Sequence, residues 1–532
     1  MIRDLIKKIL DLPEAVIDQP ENKSFGDYST GVVLKLAKKE GKNPMEMANE
    51  LVAKIKDNLT TCEVVRFAKI EVAPPGFINF TLSADFLRAQ VAEILEAKEK
   101  YGTIDIGKNE KVQVEFISAN PTGPLTLGNG RGGFYGDVLA NVLVQAGFSV
   151  KREYFVNDAG YQVEVLGHSI LGDEKAQYKG DYIDAFKIEL KNKLNLPPKE
   201  IGMLAANQIL SNFIKPTIAE RMKIKFDEWV SEKAIRESGA TDKVLEILKS
   251  KNLTYEQDGA TWFKSTEFGD DKDRVLITSE KDGRQQEATY ILPDAAYHYK
   301  KFAEDKFNKV IDIWGADHHG YIARLQAIGK ALGIWDEKNL QIVIMQMVRL
   351  FSGGKEIKMS KRLGTYITLD ELLAEIPLDV ARWFFLMRSP DTHMDFDLDL
   401  AKEQSDKNPV YYAQYAYARI CAILRKSDTK NYSLSEVEGS QLLTHPSELA
   451  LIKQLIRLPE IIEDTSRDYQ VHRLPQYVLD LVRSFHKFYE DCRVIDEKDK
   501  DKTQARLLLC QAAKIVLANT LSLMGISAPE KM

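Results

Sequence analysis

The chain has 532 residues, 44% apolar and 29% charged, with a formal net charge of -6. This excludes collagen-like, mucin-like and largely disordered chains, and the length predicts about three domains, each able to bury a core. The mild acidity argues against indiscriminate coating of DNA but is compatible with a nucleic-acid partner on a local basic face. Cys62, Cys421, Cys492 and Cys510 form no CxxC pair, so neither a zinc ribbon nor a disulfide framework is indicated, and free thiols suit a reducing, cytoplasmic setting. The first residues alternate charged and apolar side chains without a signal-peptide core, and the apolar runs are expected to be too short to span a bilayer.

Residues 1–101 read as a small α+β domain. Helices are expected around Ile2–Leu10 and Gly31–Lys39, and from Pro44, after which Met47, Leu51, Val52 and Ile55 recur at helical spacing. KIEVAPPGFINFTL reads as two strands about a Pro74-Pro75-Gly76 turn, and a helix from Ser83 leads to a boundary near Gly102.

Residues 102–375 change character. KVQVEFI is β-rich, SANPTGPLTLGNGRGG is a Gly-rich turn, FYGDVLANVLVQAG is a helix and VKREYFV a second strand. That is a βαβ unit, the building block of a parallel sheet. KVIDIWG, ADHHG, YIARLQAIGKALG and LQIVIMQMV repeat the pattern. The charged stretch between the units looks helical and is read as insertions in a doubly wound sheet, whose ligands bind at the carboxyl ends of the strands. Residues 376–532 show no convincing strand and read as an all-α bundle.

In the Gly-rich turn, Gly123, Gly128, Gly130, Gly132 and Gly133 let backbone approach a ligand, and the N–H groups opening the next helix favour phosphate. Thr126 and Asn129, three apart, could offer hydrogen bonds to phosphate oxygens. Such a turn is structural about as often as functional, and it fits neither the P-loop nor the dinucleotide pattern. GGKEIKMSKRLGTY concentrates Lys355, Lys358, Lys361 and Arg362 between glycines. Cations there could neutralise charge developing in nucleotidyl transfer, although a basic loop is more often simply solvated.

Together and in this order, LTLGN and KMSKR resemble the two signatures, HIGH and KMSKS, of class I aminoacyl-tRNA synthetases. FISANPTGP, VNDAGYQVE, WGADHHGYIARLQA, NPVYYAQYAYARICAILR and the closing LMGISAPEKM resemble bacterial arginyl-tRNA synthetases. FGDYSTGVVLKLAKKEGKNPMEMANELV is similar to that family's additional N-terminal domain. One departure stands out: Thr126 and Asn129 occupy positions where the family normally carries histidine. Both keep hydrogen-bonding groups, the tryptophanyl branch has a similar T-x-G-N form, and KMSK is intact.

The resemblance implies a multidomain chain: a small α+β tRNA-contacting domain (1–101), a Rossmann-like catalytic domain (102–375) and a helical anticodon-binding domain (376–532). It implies an arginine–tRNA ligase that forms arginyl-adenylate from ATP and L-arginine and transfers the arginyl group to the 3′ end of cognate tRNA. The alternative is a catalytically weakened tRNA-binding paralogue. Another class I nucleotidyltransferase would leave the N-terminal module and the bundle unexplained. Thr126, Asn129, Lys358 and Lys361 would act in catalysis. Pro124, Gly128, Gly315, Asp317, His318, Met347, Val348 and Ser360 would bind ATP, accompanied by Mg²⁺. Glu115, Ser118, Asn120, Tyr290 and Asp294 would hold arginine; carboxylates suit a guanidinium, and Tyr290 and Asp294 share a helical face. His318 and His319 lack further ligands at familiar spacing, so no protein metal site is assigned. The family implies a monomer, no membrane or DNA partner, and bound tRNA before arginine is activated. Tyr411, Tyr412, Tyr415 and Tyr417 interleave with Arg419, Arg425 and Lys426, as in binders of single-stranded RNA. The face carrying Tyr411, Tyr415 and Ala418 is assigned to packing. His168 and His393 are expected to be structural or surface residues.

Overall fold

The computed structural model describes residues 1–58, 66–280, 286–357, 367–426 and 440–532. Near the N-terminus β1 (Tyr28–Thr30), β2 (Phe67–Ala73) and β3 (Phe77–Leu82) pair antiparallel in the order β1-β3-β2. Alternation turns Ile78 and Phe80 into a core shared with the helices Val32–Glu40 and Pro44–Asn58. β1 escapes sequence reading because three residues carry too little alternation to register.

The central sheet contains β4 (Lys111–Glu115), β5 (Ser149–Val156), β6 (Glu228–Ser231), β10 (Lys309–Gly315) and β11 (Leu340–Met345). All neighbours are parallel, in the order β11-β10-β4-β5-β6. The chain winds outward from β4 in one direction and from β10 in the other, so a crevice opens at the carboxyl ends of these two strands. Between β6 and β10, the strands β7 (Thr254–Gln257), β8 (Ala260–Phe263) and β9 (Arg274–Ile277) form a small antiparallel sheet. This corrects the helical reading of that stretch: each strand has four residues, too short for a period of two to stand out among helix-forming Lys and Glu. LQIVIMQMV is also two strands. β11 ends at Met345, and β12 (Val348–Ser352) joins a separate sheet with β13 (Lys355–Ile357) and the parallel β14 (Met394–Asp397). β14 falls in the region expected to lack strands.

The helix Leu127–Gln145 crosses behind the sheet. An added Cβ on Gly136 would lie 2.3 Å from Phe116, so only glycine permits this approach. Buried Arg382, from the helix Leu378–Leu386, reaches Asp137 at 2.8 Å and the Met222 carbonyl at 2.9 Å, tying this helix to the following segments.

Five long helices dominate the C-terminal region: Pro409–Lys426, Pro446–Leu455, Leu458–Asp468, Arg473–Asp491 and Lys500–Leu523. By length and composition Lys500–Leu523 could cross a membrane, contrary to the expectation that nothing here is long and apolar enough. Half of its apolar window is buried in the protein, where Leu509, Ala513, Val516 and Leu517 pack, as suits the core helix of a bundle. In Pro409–Lys426 the packing face is Ala413, Ala416, Tyr417 and Ile420, whereas Tyr415 is 44% exposed and stacks on Tyr411 at 6.5 Å. Of the face assigned to packing, Ala418 is buried and Tyr411 half-buried, and the assignment is corrected at Tyr415: small alanines let neighbouring helices approach on the adjacent face. The small domain docks on the bundle through Arg3 to Asp464 (2.6 Å), Tyr28 to Glu460 (3.0 Å) and Lys453 to Asp27 (2.6 Å).

Candidate active site

The crevice between β4 and β10 is opened by the start of Leu127–Gln145. Thr126 caps that helix and forms a reciprocal box with Asn129. The Thr126 hydroxyl and backbone N–H donate to Asn129 Oδ1 at 2.8 and 2.9 Å, and the Asn129 N–H donates back to the hydroxyl at 3.4 Å. The two residues replacing the expected histidines thus build the helix terminus itself, and the Asn129 amide keeps N–H donors besides. The glycines divide by role. A Cβ on Gly130 would sit 2.7 Å from Leu369, and on Gly133 2.5 Å from Met222, whereas Gly128 faces open space beyond Thr126. Thr126 also bridges Thr368, and the Leu369 N–H donates to the Leu125 carbonyl at 2.8 Å. The chain emerging from the second signature is therefore fastened to the first. Lys358, Ser360 and Lys361 lie outside the described residues.

β4 delivers Glu115, directly opposite Asp312 of β10. Beyond it Ile117 and Ser118 have φ of 68° and 35°, a left-handed conformation that costs non-glycine residues about 1–3 kcal/mol each. Bonds hold Ser118 there: its hydroxyl donates to Glu115 Oε1 at 3.0 Å and accepts from the Phe155 N–H at 3.1 Å. The Lys301 ammonium donates to Glu115 Oε2 (2.8 Å) and Asp312 Oδ1 (3.2 Å) and lies 4.0 Å from the Tyr297 ring centre. His298 Nε2 meets Asp312 Oδ2 at 2.8 Å, while Nδ1 faces the Asp294 carbonyl at 2.9 Å and Asp294 Oδ1 at 3.2 Å. Both ring nitrogens face acceptors, so both carry hydrogen and the ring is an imidazolium. Burial and Lys301 push His298 down, but Asp294 and Asp312 outweigh them and hold it up at about 10. Burial pushes Glu115 upward, against the pull of Lys301. Burial also works on Asp312, but Lys301 and His298 prevail and keep it below its ordinary range.

Asp294 Oδ2 is buried without a well-formed hydrogen bond, the only carboxylate oxygen in that position among the described residues, and the buried Tyr321 hydroxyl, likewise without one, faces the same carboxylate. Tyr290, the residue preceding the helix Ile291–Tyr299, is 58% exposed, and its hydroxyl accepts from Arg324. Asn120 is exposed and Ser118 and Pro124 are half-buried. Gly315 ends β10, with Asp317 and His318 exposed in the turn after it. Met347 is 67% exposed between β11 and β12, and Val348 is buried at the start of β12 rather than at the end of β11. His168 is buried against Asp173 (2.7 Å) and His393 is exposed, in line with their plain reading. A cavity of about 300 Å³ near Asp158, Lys199, Lys233 and Arg236 is lined by none of the expected site residues. Sequence reading missed Lys301, His298 and Asp312. Asp312 alone left a signal, a charge inside the apolar strand KVIDIWG that demands a buried partner.

The sheet order, the helix start at its switch point and the fastening of the two signature segments define a class I aminoacyl-tRNA synthetase. Residues 90–215 and 199–383 match the description "tRNA synthetases class I (R), catalytic domain". Residues 1–82 match the arginyl tRNA synthetase N terminal domain and 413–532 the DALR anticodon binding domain. The chain is 42% identical to arginine–tRNA ligase of Bacillus subtilis (strain 168), covering 98% of this chain and 95% of that protein. It is 43% identical to the same ligase of Carboxydothermus hydrogenoformans, over 97% and 94%. Thermus thermophilus arginyl-tRNA synthetase shares the fold with a TM-score of 0.79, over 100% of this chain and 99% of that one, at 22% identity. The chain belongs to the arginyl-tRNA synthetase family, and its activity is arginine–tRNA ligation, with ATP, arginine and tRNA as the family's reactants. The weakened-paralogue alternative finds no support among these relatives.

Proposed function

We propose that arginine binds with its guanidinium between Glu115 and Asp294, its aliphatic stem along Tyr290, and its α-amino end toward Ser118 and Asn120. The observation carrying this reading is Asp294 Oδ2, which is buried without a well-formed hydrogen bond although the Tyr321 hydroxyl faces the same carboxylate, since a carboxylate oxygen left unpaired asks for a cation. ATP lies across the helix start, its phosphates toward Thr126, Gly128, Asn129 and Pro124, its ribose toward Gly315, Asp317 and His318, and its base beside Met347 and Val348. Mg²⁺ accompanies the phosphates. Among the described residues no cluster of three His, Cys, Asp or Glu offers it a protein cage.

The arginine carboxylate oxygen attacks the α-phosphorus, the bond to the bridging oxygen breaks, and pyrophosphate leaves with Lys358, Ser360 and Lys361 alongside. A hydroxyl of the terminal tRNA ribose then attacks the arginyl carbonyl and releases AMP. Bound tRNA precedes activation. Residues 1–101 contact tRNA, 102–375 carry the chemistry and 376–532 read the anticodon. The enzyme acts as a cytoplasmic monomer without a membrane or DNA partner.

Arginine-dependent ATP–pyrophosphate exchange, measured with and without cognate tRNA on the parent and on Asp294→Asn, tests this reading. Exchange in the parent that requires tRNA, together with a raised arginine KM in the variant, is expected. An unchanged arginine KM would move the amino-acid site elsewhere.

A further inference from the structure

Glu115, Lys301, Asp312, His298 and Asp294 form one chain, buried except at half-buried Asp294, in which negative and positive groups alternate, with successive contacts of 2.8, 3.2, 2.8 and 3.2 Å. Lys301 is 1% exposed and Asp312 fully buried. Three carboxylates face two cations, so one negative charge stays uncompensated. Both ends are carboxylates, and Asp294 still has an oxygen without a well-formed hydrogen bond, with the neutral Tyr321 hydroxyl beside that carboxylate. Buried charge of this kind is costly unless alternation is maintained. A planar cation with several donors, laid between the ends, would continue the alternation and cancel the remaining charge.

We propose that Lys301 and His298 are positioning residues which, through Asp312, hold the Glu115 and Asp294 carboxylates in place at the two ends of an alternating chain, whose gap the substrate guanidinium fills. The proposal rests on the arginine site described above and adds how its selectivity for a cation is set. Lys301 and His298 do not touch arginine. Without Lys301, Glu115 and Asp312 would face each other buried and would share a proton, so Glu115 would be lost as an anion.

The test compares Lys301→Met, the double variant Lys301→Met/Asp312→Asn, His298→Gln and Asp294→Asn by exchange kinetics with saturating tRNA. In Lys301→Met the arginine KM should rise about 30-fold or more, with the ATP KM staying within about threefold of the parent. The double variant loses one charge of each sign and regains alternation, so its arginine KM should recover at least about fivefold relative to the single variant. His298→Gln should raise the arginine KM in the same selective way. A general structural role would instead lower kcat or raise both KM values together. The proposal is overturned if folded Lys301→Met keeps the parental arginine KM, if ATP KM rises in parallel, or if the double variant does no better than the single. Should Lys301→Met not fold, a parental arginine KM in His298→Gln overturns it equally. Loss of arginine binding in Asp294→Asn with none in the chain variants sinks only the positioning role, whereas a parental KM in Asp294→Asn sinks the site itself.

Discussion

Two buried ion clusters show what separates a joint from a binding site. Where the small domain meets the bundle, Glu460 accepts from the Tyr28 hydroxyl at 3.0 Å and lies 3.5 Å from both Gln19 and Arg3, while Arg3 also reaches Asp464. Each Glu460 oxygen has a partner, although burial still pushes its carboxyl upward. At the strand ends, Glu115 and Asp294 are also held, but one Asp294 oxygen has no well-formed bond, and among the described residues no cation other than His298 meets that carboxylate. Residue types are nearly the same in both places. On the proposed arginine site, the difference is a single cation left for the substrate to supply, which would turn an internal charge network from glue into a receptor.

The largest effect that separates the two clusters is expected from Asp294→Ala. Losing the carboxylate that meets a buried guanidinium costs about 3–5 kcal/mol, so arginine affinity should fall by about 10²–10³ or more while ATP affinity changes little. Equilibrium binding of each substrate checks this, and equal losses for both would blur the contrast.

The two clusters should also differ in their response to pH. His298 has a folded value of about 10 against an ordinary 6.5. Its raised value stabilises the fold fully below pH 6.5 and loses that contribution as pH rises through about 10. Comparing urea midpoints of parent and His298→Gln at pH 7 and pH 10 should show the gap narrowing at the higher pH. A constant gap would mean the ring is not held as an imidazolium.

Asn129→Ala comes next. It removes the acceptor of the capping box, worth about 1 kcal/mol of helix stability, and donors at the phosphate end. Adenylate formation should slow by about 10–10² while tRNA binding stays intact. Activity equal to the parent would restrict Asn129 to capping.

The smallest effect belongs to the joint. Glu460→Gln should lower stability by about 1–2 kcal/mol, because Tyr28 keeps an acceptor and Arg3 keeps Asp464, with no change in arginine KM. A shifted arginine KM in that variant would show that the joint and the pocket communicate.

The sequence made the same division only in part visible. The βαβ pattern and the strands ending at Glu115 and Gly315 stand out because long alternating or apolar runs carry their own period. β6 and β14 do not, because four residues give no period, and their place is set by neighbours distant in the chain. Glu115 and Asp294 were legible through a resemblance. Lys301 was not: within HYKKFAEDK it looks like a solvated lysine, and only the fold brings it between two strands. Tyr415 was misjudged for the opposite reason, since an aromatic at helical spacing looks like core until alanines on the adjacent face prove to be the packing surface.

Gly130, Gly133 and Gly136 recur along one side of the Leu127–Gln145 helix, each pressed against Leu369, Met222 or Phe116, whereas Gly128 has only Thr126 nearby. A genetic screen would therefore sort this short stretch into two kinds of allele. Alanine at 130, 133 or 136 should give heat-sensitive growth that cooling rescues, because such changes strike folding. Alanine at 128 should give a defect that temperature leaves alone, because the chain folds around it and, on the proposed placement of ATP, only the nucleotide notices.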